Sequence, residues 1–363
     1  MQPVRWRLVL GLLAVGCTSW SEEQVEGLRH VSAVVTTGGE GAVRIPIDVL
    51  DGDTQMLAVV QAESPQRSVF ASLDTPAASP AWVADTQATT LATNAGFVSS
   101  VSVLGYPMLP GDLPLEPGRW WLTAGAVATD LTFAEGALTV DLWFAQDDDA
   151  RAGALEVVLH LADGLDADPV LVSALEEAST QWQSLYAGYD ITLSLATEPW
   201  TGETPQTPGF DTPDAWRAIS EGPVRRVHVV MVDAIAALPG AYGLAGGIPG
   251  AIGSTPASGV LLSASLARGA DGQLSDEEVR LLSETLAHEV GHYLGLFHPV
   301  EIQWDQWDAL ADTPDCTSES DCVDALSNNL MFPFPVCALV ACIPQNALTD
   351  AQVGVAQRHP VLD

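Results

Sequence analysis

Residues 288–298 read His288-Glu289-Val290-Gly291-His292-Tyr293-Leu294-Gly295-Leu296-Phe297-His298, the pattern H-E-x-x-H-x-x-G-x-x-H. It dictates a helix, its end and a turn. Ser275 with Glu278 three residues on is a capping-box pair, so a helix is predicted to begin near Asp276. Val279, Leu282, Leu286, Val290 and Tyr293 then recur on one face at about 100° per residue. His288 and His292 are i, i+4 neighbours away from that stripe, one above the other. A third ligand cannot reach the same point by straight continuation of the helix. Gly295 can take the left-handed conformation that ends helices, turning the chain so that His298 comes back. Three imidazole nitrogens suit a tetrahedral zinc at about 2.0–2.1 Å, with a fourth position left for water. Glu289, beside the first ligand, is the expected general base for that water. The competing reading, a helix with satisfied surface histidines, does not account for the joint spacing of histidine, glutamate and glycine.

The bulk of the chain narrows the partners. With 13 basic against 47 acidic residues, every basic one an arginine, the formal net charge is −34. Such a molecule repels phosphate backbones, so nucleic acid is excluded as an expected partner. Disorder is excluded by the 47% hydrophobic content, which is ample for a core. The N-terminus reads as a targeting segment. Arg5 and Arg7 precede an apolar run, Leu8 to Val15, too short to span a bilayer. It ends in Leu13-Ala14-Val15-Gly16-Cys17, which resembles a bacterial lipobox, with Cys17 the lipidation site and residues 1–17 the lipoprotein signal peptide. An ordinary secretory signal cut nearby is the alternative. Either way the protein is expected to be exported, as an outer-membrane or cell-surface lipoprotein in the first case. Setting Cys17 aside leaves Cys316, Cys322, Cys337 and Cys342, an even set that suits two disulfides in an oxidising compartment; three connectivities are open.

The predicted fold class is multidomain. Residues 25–147 read as an all-β sandwich, from period-two runs such as Val43-Arg44-Ile45-Pro46-Ile47-Asp48-Val49 and Leu138-Thr139-Val140-Asp141-Leu142 between turn residues. Gln146 to Gly153 is a polar break. Residues 153–363 read as an α/β (α+β) domain with a mixed sheet and the helix described above. Leu155 to Leu161 alternates as a strand. Asp168 offers an N-cap with Pro169 at the first helical position, and Leu171, Leu175, Ala178, Trp182 and Leu185 follow at helical spacing. Ile191 to Leu195, Val227 to Val232 and Val260 to Ala264 read as further strands, with loops at Pro199 to Pro213 and Gly243 to Gly253.

On these residues the second domain resembles the metzincin zinc metalloproteases, whose long signature the 288–298 segment matches. That family carries a methionine in a tight turn beneath the metal, and Met331 in Asn328-Asn329-Leu330-Met331-Phe332-Pro333 is the candidate, packing under the site without coordinating. Ala311-Asp312-Thr313-Pro314, the flanking cysteines and Leu348-Thr349-Asp350-Ala351-Gln352 are similar to the pappalysin branch. The resemblance implies crossed pairs, Cys316–Cys337 and Cys322–Cys342. It also implies that residues 331–336 border the pocket for the substrate residue after the scissile bond. Pappalysins carry a tyrosine two residues after the methionine, where this chain has Pro333, so assistance from that position is absent. Asp305, Asp308, Asp312, Asp315, Asp321 and Asp324 could hold calcium, which the resemblance allows nearby, although with no D-x-D-x-D-G loop and a wholly acidic protein a solvated acidic surface is the favoured reading. His30, His160, His228 and His359 lack partners at ligand spacing and are read as structural.

The resulting expectation is a zinc-dependent endopeptidase acting on protein or peptide substrates, tethered to a bacterial envelope through Cys17. The alternative is a surface-binding lipoprotein whose β domain recognises a partner and whose metalloprotease domain is latent. Whether residues 25–147 form a pro-region or a permanent domain, and the oligomeric state, stay open.

Overall fold

The computed structural model describes residues 19–363 apart from 40, 86–87, 94, 147–152, 269–273 and 339–340. The signal segment with Cys17, and the polar break within 147–152, lie outside the described residues. The chain is multidomain, of α+β type and mostly strand. It divides into two compact units, one holding 19–88 and 93–146, the other 89–92 and 153–363. No helix among the described residues is long and apolar enough to cross a membrane.

The first unit is built from two antiparallel sheets. Five strands are ordered Ser21–Val25, Leu28–Thr36, Ala137–Ala145, Gln55–Ala62 and Val101–Tyr106; four more run Ala42–Val49, Gly118–Val127, Arg67–Asp74 and Pro80–Val83. The alternation read from the sequence is what buries them. Val43, Ile45, Ile47 and Val49 from one sheet share a single core with Leu138, Val140, Leu142 and Phe144 from the other. The doublet Trp120-Trp121 shows the same period. Trp120 points inward and donates its indole N–H to the Glu116 carbonyl at 2.7 Å, while Trp121 carries the Arg44 guanidinium over its ring.

In the second unit Ile191–Pro199, Gly153–Leu161, Arg226–Val232 and Val260–Ser263 lie side by side and parallel, in that order. The helix Pro169–Ala187 makes the crossover between Gly153–Leu161 and Ile191–Pro199, capped by Asp168 with Pro169 at its first position, as the sequence predicts. Gly243–Ala245 adds an antiparallel edge strand beside Val260–Ser263. The sequence predicts a loop over that segment. Its glycines weaken β propensity, and pairing with a buried neighbour overrides them. A short helix, Pro213–Ile219, was likewise missed between the loop and the next strand.

The helix Asp276–Tyr293 starts with the expected capping box, Ser275 with Glu278. Its stripe Val279, Leu282, Leu286, Val290 and Tyr293 is buried. The Tyr186 hydroxyl of the crossover helix donates to the Ala287 carbonyl at 2.9 Å. That contact fixes one long helix against the other and leaves the histidine face turned toward the edge strand. Thr90–Leu91 belongs to this unit and pairs in parallel with Trp307–Asp308.

Candidate metal centre

Three imidazoles converge at the end of that helix. Gly295 takes φ +104°, a region closed to most side chains, and the reversed chain returns His298 to His288 and His292. Nε2 of His298 lies 3.2 Å from Nε2 of His292 and 3.3 Å from Nε2 of His288. Each Nδ1 faces an oxygen that can only accept. His288 Nδ1 donates to the Leu330 carbonyl at 2.7 Å and His292 Nδ1 to the Leu296 carbonyl at 2.6 Å. His298 Nδ1 donates to Glu301 Oε2 at 3.0 Å.

These acceptors decide the tautomers. With the ring hydrogen on every Nδ1, each Nε2 carries a bare lone pair. Three lone pairs that close together repel one another, so the short Nε2 separations are not hydrogen bonds. They are the edges of a coordination polyhedron: ligands at 2.0–2.1 Å from a tetrahedral ion stand about 3.3–3.4 Å apart. Burial also holds the rings neutral, pushing the pKa of His288 down to about 3 and that of His292 well below its usual value, with the neighbouring imidazoles adding to both. The residues present therefore fit a zinc-sized cation. Among the described residues these three are the one set of three or more potential ligand side chains gathered closely enough to hold a metal.

Glu289 stands beside them, 7% exposed. Burial pushes its carboxyl up to about 8, opposed by a hydrogen bond from the Ala245 backbone. The edge strand thus touches the carboxylate directly, and it does so through a missing side chain: a Cβ on Gly243 would stand 2.5 Å from Glu289 Cγ. Beneath the imidazoles Met331 is fully buried, and a Cβ on Gly291 would meet its sulfur at 2.7 Å. The motif's unnamed glycine, Gly291, is what lets the methionine turn approach the helix. Asn329 holds that turn, its Oδ1 accepting the Met331 backbone N–H at 2.8 Å. Gly243, Ala245, Gly291 and Leu330 were not singled out from the sequence. Backbone acceptors and absent side chains leave no pattern of residue type to read.

The imidazoles and Glu289 open on a cleft of about 510 Å³ between the helix, the edge strand and the segment Phe332–Pro335. Pro333 is part of its wall, where the resemblance would have put a tyrosine.

No family model matches this chain, and no curated protein matches it. Among solved structures it is similar to metalloproteinase-II from Bacteroides fragilis, at 12% identity over 84% of each chain with a TM-score of 0.28. It is also similar to a family two carbohydrate esterase from Cellvibrio japonicus, at 11% identity over 50% of this chain and 52% of that one, with a TM-score of 0.16. Likeness this low leaves the chemistry of the site to be read from its own atoms.

The cysteines depart from the crossed pairing that the resemblance implies. Cys316 bonds Cys322 and Cys337 bonds Cys342. Each pair closes on its own local element. Cys316 and Cys322 bracket the N-terminus of the helix Glu319–Leu326, with Cα atoms 5.3 Å apart, and Cys337 faces Cys342 across a two-residue antiparallel ladder. Two of the acidic residues near them are engaged separately. Asp312 of the D-T-P segment accepts from Thr349 Oγ1 and the Ala351 backbone, each at 2.9 Å, tying that loop to the start of the helix Asp350–Ala356. Asp308 accepts from Thr313 and the Leu310 backbone. Among the described residues no carboxylate cluster that could hold a second ion is gathered there.

Two of the histidines set aside as structural do find each other. His160 and His228, on neighbouring strands, stack at 5.3 Å between centroids, with His160 Nε2 3.0 Å from His228 Nδ1. Position in a parallel ladder, invisible to linear spacing, brings them together. His30 reaches Asp141 and Glu23, and His359 the Gly250 carbonyl.

Proposed function

We propose that the chain is a zinc-dependent endopeptidase of the metzincin type, similar to the pappalysins, with His288, His292 and His298 holding the ion and Glu289 acting as general base. The observation that carries this reading is the convergence of three bare Nε2 lone pairs beside a buried carboxylate, at the edge of a cleft.

When bound, zinc supplies Lewis-acid polarisation of a carbonyl and lowers the pKa of water. The chain's own residues supply the rest. Glu289 is held by the Ala245 backbone in a dry position, and its raised pKa suits a group that takes a proton from water and hands it to a leaving amine. The strand Gly243–Ala245 ends its sheet, so an extended peptide has a backbone edge to lie along. An edge that pairs with main chain favours a peptide substrate over an ester or sugar. Leu296, Leu330 and Glu301 keep the imidazoles oriented through their Nδ1 hydrogens. The first unit is an accessory β-sandwich or pro-domain in this proposal, and Cys17 anchors the chain to a bacterial envelope.

Incubating the zinc-loaded protein with an unfolded protein substrate, and mapping the fragments by mass spectrometry, tests the reading. Internal cuts are expected, and Glu289→Ala is expected to retain one zinc per chain while losing about 10²–10⁴-fold in rate. A fully active Glu289→Ala protein rules out the assigned mechanism.

A further inference from the structure

In the first unit, His30 sits between two carboxylates. Its Nδ1 lies 3.2 Å from Glu23 Oε1 and its Nε2 2.9 Å from Asp141 Oδ1. Both carboxylate oxygens can only accept, so both ring nitrogens must donate, and only the imidazolium carries two N–H groups. The ring also lies flat on Trp143, with centroids 3.8 Å apart and planes 9° from parallel. That placement favours a cation over the indole face.

The ladder explains the cluster. Glu23 of Ser21–Val25 stands directly opposite His30 on one side, and Trp143 of Ala137–Ala145 on the other, so the three project from one face. Asp141, two residues from Trp143, shares that face. Glu23 and Asp141 are the charged groups that meet the ring from the two flanking strands. Arg29, next to His30 in its own strand, points to the opposite face, where it binds Asp53.

The bridge holds a strand that has little else. Ser21–Val25 is the edge of its sheet, with four residues exposed and the fifth half-buried. It joins Leu28–Thr36 through Glu26-Gly27, whose φ values of 49° and 81° suit a tight two-residue hairpin turn. Apart from the ladder, its holds are the Ser21–Ser32 hydroxyl bond at 2.7 Å, a 3.9 Å ion pair of Glu22 with Arg29, and Glu23 on His30. Trp20, just ahead, packs against the sandwich core. A hairpin arm that buries so little is marginal, so one charged pair is a large part of what keeps it in place.

Loss of the proton acts in one direction. Burial works against the charge on His30, and the two carboxylates outweigh it, holding the pKa above its ordinary 6.5. A group raised in this way stabilises the folded arrangement fully below its unfolded pKa, and the contribution is lost as the pH rises through the folded one. The neutral ring keeps a single N–H. Asp141 has the shorter contact and the less exposed carboxylate. It retains that hydrogen, and a bare nitrogen lone pair then faces Glu23.

We propose that His30 is a proton-operated latch on the N-terminal strand Ser21–Val25, closed when the ring is charged and open when it is neutral. Opening bares the backbone edge of Leu28–Thr36 and frees residues 21–25, whose extended length is about 17 Å. With the Cys17 anchor proposed above, that length is added to the tether between envelope and sandwich. The latch itself does not depend on the anchor.

Hydrogen exchange of the full chain between about pH 5.5 and 8.5, read by mass spectrometry on peptides covering 21–25, tests it. Rates are referred to those of the free peptide at each pH. Protection at 21–25 is expected to fall about threefold or more across the range, while peptides from Ala42–Val49 keep theirs. In His30→Gln it is expected to be low and flat with pH. Glu23→Gln leaves the ring its Asp141 and Trp143 contacts, and is expected to remove the pH dependence at 21–25 with the core peptides unchanged. Protection that stays constant with pH in the unsubstituted chain overturns the proposal, and so does a fall that persists in either variant.

Discussion

Two groups of histidines lie within one unit, and they solve opposite problems. His160 and His228 share a hydrogen bond, one ring nitrogen donating and the other accepting. His288, His292 and His298 stand equally close and share none, because all three ring hydrogens are already given to oxygens elsewhere. Proximity is the same; the acceptors on the far side of each ring differ. A metal centre here is made by Leu330, Leu296 and Glu301 as much as by the imidazoles they hold: in the pair only His160 faces such an oxygen, Glu198 Oε1 at 3.1 Å from its Nδ1, and His228 Nε2 has none.

That contrast can be broken most severely at a ligand. His292→Ala is expected to lose zinc and all measurable cleavage, whereas His228→Leu keeps both, as read by metal analysis and peptide turnover on the same preparations. Equal zinc loss in the two variants would erase the distinction. A smaller effect sharpens it at one acceptor. Removing the carboxylate in Glu301→Ala frees the His298 Nδ1 hydrogen, and zinc affinity is expected to fall about 10–100-fold in chelator competition. The smallest concerns the His160–His228 pair. Burial keeps both rings below their ordinary pKa, opposed at His160 by the Glu198 carboxylate, and His228, pushed down to about 3 with His160 and Arg226 adding to the effect, stays neutral in the folded chain. The unfolded chain takes up those protons as the pH drops through about 6.5. Folding stability is then lost toward acid, at up to about 1.4 kcal/mol per pH unit for each proton. His228→Leu has one such proton fewer, and its melting temperature is expected to decline less steeply from pH 6.5 to 4.5 than that of the parent. Identical slopes would mean that the pair is not held neutral.

What the sequence revealed follows the range of the interactions. The helix, its cap, the turn at Gly295 and the three ligands are local, so residue type at fixed spacing encodes them. The strands of the first unit are legible for the same reason, through the in-out alternation of residues such as Ile45 and Ile47. The edge strand Gly243–Ala245 was hidden because its conformation is imposed by Val260–Ser263 and its glycine is kept for the room it leaves Glu289. The disulfides were misjudged where pairing was carried over by resemblance, since each half of the cysteine set folds on itself.

The His288 ring has one further consequence. Its ligand partners are at most ten residues away, but the carbonyl that orients it belongs to Leu330, 42 residues on. The other two rings take their acceptors from within four residues. A chain that has formed the helix and its turn, but has not yet docked the Asn328–Phe332 turn, would possess every ligand and still leave one of them free to spin. Tight capture of the ion would then come late in folding, so that metal affinity doubles as a record of whether the last segment has arrived.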